Sequence, residues 1–124
     1  MNQENLLRLL SVGDIEGSLK FSLMVFCIQK QSSHLFSYEY TRGFKSPYSE
    51  EFYDDLRKLE LMGLIEVNWK KEGVPKKNYS IKNSLKAPLE KEYFKLNLLS
   101  EEDLLFKVYK ENNLSQYEIG DRIV

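Results

Sequence analysis

Between Leu19 and Ile28 only Lys20 and Ser22 are polar, and a helix that is apolar nearly all round must be covered on most of its sides. The run falls well short of the ~18 residues that a bilayer span requires, so the cover has to come from the rest of the chain. This reading places a buried helix at the centre of a single domain. Asp14 is a chemically sound N-cap for it, although Gly17 delays the regular start to Ser18. The composition can supply that cover: 42% apolar and 13% aromatic residues in 124 bury enough surface to offset ordering entropy. Cys27, the single cysteine, lies inside the apolar run. An intrachain disulfide and a thiolate-rich metal site are therefore excluded, and a reducing compartment fits best. With no basic-then-apolar opening, the expectation is a soluble, cytoplasmic protein without membrane contact.

The flanking segments read as short elements suited to wrapping that helix. Asn2 to Leu10 has the leucine spacing of a helix, broken by Val12-Gly13. Phe36-Ser37-Tyr38-Glu39-Tyr40 alternates aromatic and polar residues, the pattern of a half-buried strand. A turn-rich stretch, Thr41 to Tyr48, leads to a third helix, capped by Ser49 in preference to Ser46-Pro47 and ending near Met62-Gly63. Phe52, Leu56 and Leu59 share its inner face; Glu50, Asp54, Arg57, Lys58 and Leu61 point outward. Leu64 to Trp69 and Asn78 to Ile81 are strand-like and joined by a turn containing Gly73 and Pro75. Beyond them a helix from Pro88 and another capped by Ser100, running to about Glu111 with Leu105, Val108 and Tyr109 as its stripe, complete the assignment. Residues 114–124 are too mixed to assign.

Helix, Gly-Leu-Ile, hairpin is the cadence of a winged helix. The expected fold is α+β and mainly helical: a winged helix-turn-helix domain over residues 1–86, with residues 87–124 as a C-terminal helical extension of the same domain that supports dimerisation. The segment from Phe36 to Ile65 contains Pro47-Tyr48-Ser49-Glu50-Glu51, Tyr53-Asp54-Asp55-Leu56 and Leu59 to Gly63-Leu64-Ile65. It resembles the small prokaryotic winged-helix proteins called YwgA-like and, more distantly, the Panacea antitoxin domain. Gly17-Ser18-Leu19-Lys20 is similar to their buried-helix motif, and Asp103 to Tyr109 to their closing helix. The resemblance implies a winged-helix fold and a role in transcription regulation or toxin neutralisation, and it brings no catalytic residues.

Chemistry points the same way. No Gly-x-Ser-x-Gly elbow is present, the glycines are isolated rather than gathered into a phosphate loop, and one histidine, His34, has no ligand-spaced neighbours. The clusters Glu50-Glu51-Asp54-Asp55 and Glu101-Glu102-Asp103 sit at helix starts, where the dipole favours carboxylates. An enzyme, a metal site and a cofactor are therefore not expected. Net charge is −1, but residues 66–86 hold six lysines against two glutamates. Four of the six, Lys70, Lys71, Lys76 and Lys77, crowd the hairpin between Trp69 and Tyr79. Such a wing can straddle a DNA backbone, and equally such lysines can protect a strand edge from aggregation. The leading expectation is a DNA-binding transcriptional regulator, a homodimer on double-stranded DNA, with contacts from Arg42, Lys45, Tyr48, Arg57, Lys58, Lys70, Lys71, Lys76 and Lys77. The alternative is a protein-interaction module, such as an antitoxin-like neutraliser or a complex subunit.

Overall fold

The computed structural model describes residues 2–32, 34–70, 73–83 and 87–124. The fold is α+β, with five α-helices and short antiparallel strands among the described residues. In chain order these are α1 (Asn2–Leu10), β1 (Ile15–Glu16), α2 (Ser18–Gln31), β2 (Thr41–Arg42), β3 (Pro47–Tyr48), α3 (Glu50–Leu61), β4 (Ile65–Lys70), β5 (Lys76–Ile81), α4 (Lys91–Phe94) and α5 (Glu101–Asn112). Among the described residues no helix is long and apolar enough to cross a membrane.

The apolar run forms the middle of α2, and every residue from Phe21 to Gln29 is buried. Phe21 meets Phe52 of α3 and Tyr79 of β5 edge-on, at ring-centroid distances of 5.3 and 5.6 Å. Phe26 meets Tyr40 edge-on at 5.0 Å. These are the arrangements that aromatic quadrupoles favour. Leu89, Leu104, Val108 and Leu114 belong to the same buried cluster as Leu6, Leu9 and Leu10 of α1, so the late helices close the core begun by the early ones. Burial pushes the Cys27 thiol up to about 11, which keeps it protonated and unreactive at neutral pH.

Four expectations are corrected. First, Asp14 does not cap α2. Ile15–Glu16 is instead a two-residue strand on β5, with Ile15 opposite Tyr79 and Glu16 opposite Asn78, giving the strand order β1-β5-β4. Gly17 follows at φ +94°, donating its N–H to the Lys77 carbonyl at 2.7 Å. Only glycine turns the chain from strand into helix at that angle without strain.

Second, residues 36–40 are extended but form no strand. Phe36, Tyr38 and Tyr40 are buried while Ser37 and Glu39 are exposed, as the alternation requires. Their backbone partners, however, are mostly side chains. The buried Gln29 amide donates to the Tyr38 carbonyl at 2.8 Å and accepts from its N–H at 2.9 Å, in the place a neighbouring strand would take. Asn2 Oδ1 accepts from Ser37 N–H at 3.0 Å, and Glu51 Oε1 from Glu39 N–H at 2.8 Å. Ladder pairing begins only at Thr41–Arg42, opposite Pro47–Tyr48.

Third, no helix starts at Pro88. Leu89 is drawn into the core with its N–H on the Arg8 carbonyl at 3.1 Å, and α4 begins at Lys91 as a single turn before a 3-10 segment, Lys95–Leu98. Fourth, α5 buries Leu104 and Val108, while Leu105 and Tyr109 lie at the margin. The stripe is therefore rotated from the expected one.

Other expectations carry through. Ser49 caps α3, its hydroxyl accepting from Phe52 N–H at 3.2 Å, and Ser100 caps α5, accepting from Asp103 N–H at 3.1 Å. Phe52, Leu56 and Leu59 face inward. The β4–β5 hairpin pairs in register from Ile65–Ile81 to Lys70–Lys76.

Candidate functional site

The amphipathic spacing of α3 leaves one side outward, and Lys77 and Tyr79 of β5 share a hollow with Tyr53, Leu56, Arg57 and Glu60, so part of the hairpin adjoins the outer surface of α3. Its charges are arranged in zones. The start of α3 is acidic: Glu39, Glu50 and Glu51 line a hollow of about 250 Å³ with Thr41 and Tyr48. Tyr48 is half-exposed, its ring stacked on Tyr53 at 5.5 Å. Farther along, Arg57 pairs with Asp54 at 3.2 Å, while Lys58 is exposed. The exit of the helix exposes apolar side chains: Leu61 is 81% exposed, and Met62 and Leu64 follow it.

On the hairpin the cations are partly answered within the chain. Lys70 and Lys76 are directly opposite across the ladder, a repulsive arrangement. Glu16 of β1 relieves it by pairing with Lys70 at 3.2 Å. Lys77 Nζ lies 5.6 Å from the centroid of the Trp69 ring, within the range of a cation–π contact. Lys71 lies outside the described residues. Arg57 and Lys77 do converge, lining a hollow of about 170 Å³ with Tyr53, Leu56, Glu60 and Tyr79. The acid in that hollow, Glu60, tempers its field.

Arg42 and Lys45 lie elsewhere, on the β2–β3 turn. The Arg42 guanidinium is committed to the protein. Its Nε donates to the Leu114 carbonyl at 3.2 Å, Nη1 donates to the carbonyls of Gly43 and Phe44, and the group sits 5.0 Å from the Tyr109 ring centroid. The C-terminal residues brace the same place, with Gly120 N–H on the Arg42 carbonyl and Arg42 N–H on the Asp121 carbonyl, both at 2.7 Å. Lys45 is exposed and in no ion pair among the described residues. Of the residues expected at one surface, the fold brings Arg57 and Lys77 to one hollow, keeps Tyr48 and Lys58 against or on α3, sets Lys70 against Glu16 and Lys76 beside Gly17 at the start of α2, and puts Arg42 and Lys45 against α5.

The sequence marks Leu61 as outward but does not single out Met62 and Leu64. The available signal was the run Leu61-Met62 continuing past the last inward position, Leu59. A second exposed apolar area, Phe44 and Phe106, also escapes sequence reading, because only the fold sets the two residues on one groove. His34 is exposed, with Ser32 Oγ 3.0 Å from Nδ1. Among the described residues no three His, Cys, Asp or Glu side chains are grouped to hold a metal ion. The chain matches no protein-family model, and no curated protein or solved structure matches it.

Proposed function

We propose that this protein is a winged-helix binding module whose α3–hairpin face engages a protein partner, as an antitoxin-like neutraliser or a complex subunit would. The order helix, short strand, helix, the small β2–β3 pair, helix, hairpin, with β1 completing the sheet beside β5, supports the winged-helix reading. The observation that carries the choice of partner is the exposed apolar exit of α3, Leu61, Met62 and Leu64, on a face whose acids lie at the start of the helix. In helix-turn-helix recognition the first residues of the second helix approach the bases. Here those residues are Glu50 and Glu51, which phosphates repel. A protein surface with apolar side chains and a mixed-charge rim suits the same zones.

A second reading, double-stranded DNA, is favoured by one observation: Lys58, Lys76 and Lys77 carry no ion pair among the described residues. Co-expression with the products of neighbouring genes, followed by size-exclusion chromatography, tests the first reading. Co-elution with one such product is expected, lost in Leu61→Glu/Leu64→Glu and retained in Lys76→Ala/Lys77→Ala. Duplex binding that the lysine variant loses and the leucine variant keeps would overturn it in favour of DNA.

A further inference from the structure

A second surface, sharing no residue with the α3–hairpin face, lies between the β2–β3 turn and α5. Phe44 on the turn is 79% exposed and Phe106 on α5 is 69% exposed. With Leu105 and Tyr109 they line an open groove of about 600 Å³, with Lys45 and Glu102 also at its walls. Exposed aromatic rings gathered in one place mark interaction surfaces. The Phe44 ring is presented by a braced turn. Gly43 N–H donates to the Ser46 carbonyl at 2.9 Å, a Cβ at Gly43 would lie 2.5 Å from that same oxygen, and Arg42 ties the Gly43 and Phe44 carbonyls toward Tyr109 and Leu114. An apolar side chain held out in advance loses little freedom on docking.

The charges indicate the occupant. Neither Lys45 nor Glu102 is in an ion pair among the described residues. A partner that covers the groove is favoured if it sets an acid against Lys45 and a base against Glu102, because a charge covered without a partner is strongly unfavourable. This chain carries both on the walls of one groove. A two-fold contact, in which residue i meets j and j meets i, satisfies both charges twice. We propose that the groove is the face through which two copies of this chain pair about a two-fold axis, aromatic rings packed across it and Lys45 of each copy facing the partner's Glu102. Six residues line the groove, against about 20 to 30 a side in a standard interface, so the dimer is weak and forms only as concentration rises.

Sedimentation equilibrium of the full chain from ~1 to ~500 μM, a range suited to weak association, tests it. A monomer–dimer equilibrium is expected, abolished by Phe106→Glu. Lys45→Glu and Glu102→Lys should each raise the dissociation constant by about tenfold or more, since each sets like charges face to face. The double variant should return it to within about threefold of the parent, because reversing both charges recreates the pairs. Melting curves of each variant, at positions this exposed, separate lost pairing from lost folding. A monomer throughout the range gives the groove to another occupant and overturns the proposal. So does a dimer that Phe106→Glu leaves intact, or a double variant no better than the singles.

Discussion

The α3–hairpin face and the α5 groove are built from the same ingredients, lysines, carboxylates and exposed apolar rings, yet they differ in how far the chain itself has answered their charges. On the first, Arg57 is held by Asp54, Lys70 by Glu16, and Lys77 lies over Trp69. On the second, Arg42 is spent behind the surface, fastening the turn, while Lys45 and Glu102 stand in no ion pair among the described residues. A cation therefore counts toward binding only after its neighbours in space are subtracted. Exposed pairs contribute little to stability, about 0 to 1 kcal/mol each, but they reduce the field that a phosphate or an acidic partner would meet.

The largest effect lies in the frame that both faces share. Phe26 is wholly buried against Tyr40, and the chain from Tyr40 leads directly into the turn that bears Phe44. Phe26→Ala should cost about 3 to 5 kcal/mol, read from urea unfolding; an unchanged midpoint would mean that α2 does not organise the two surfaces. The comparison itself is sharpened by two arginines. Arg42→Ala removes bonds to three carbonyls and a ring contact and should cost about 2 kcal/mol, whereas Arg57→Ala removes one exposed pair and should stay within about 0.5 kcal/mol. Equal losses in the two variants would erase the distinction between a fastening arginine and a surface one.

The contrast between these arginines also shows why sequence reading went as far as it did. The α3 helix was legible because its determinants are local: Ser49 caps Phe52 three residues on, and Phe52, Leu56 and Leu59 repeat at helical spacing. The hairpin was legible for the same reason, its turn residues lying between two strand-like runs. What escaped is non-local. The partner of Ile15 is Tyr79, the partners of Tyr40 are Ile123 and Val124, and Arg42 meets a carbonyl 72 residues away. The alternation of residues 36–40 correctly gave the buried side of each residue. It could not reveal that a buried glutamine, not a strand, would serve the backbone. The same limit applies to the surfaces: no local pattern places Phe44 beside Phe106, or Glu16 beside Lys70.

A smaller expected effect concerns the cap that orients α3. Ser49→Ala should cost about 1 kcal/mol, measurable as a lowered melting temperature, and should leave dimerisation at the α5 groove unchanged; a change in the dimer would mean that the two surfaces are coupled. Smallest of all, Lys76→Ala/Lys77→Ala should alter stability by no more than about 0.5 kcal/mol. A larger loss in its melt would show that these lysines support the sheet.

That near-silent variant makes the decisive measurement clean: fluorescence-anisotropy titration of the parent and of Lys76→Ala/Lys77→Ala against mixed-sequence duplex DNA, from low to moderate salt. A face whose basic groups are partly answered internally and whose helix start is acidic should give weak or no binding at low salt, equal for the two proteins. Tight binding to the parent, falling with salt at a slope of about −0.9 per neutralised phosphate and weakened in the lysine variant, would contradict the protein-partner reading and return the hairpin to DNA.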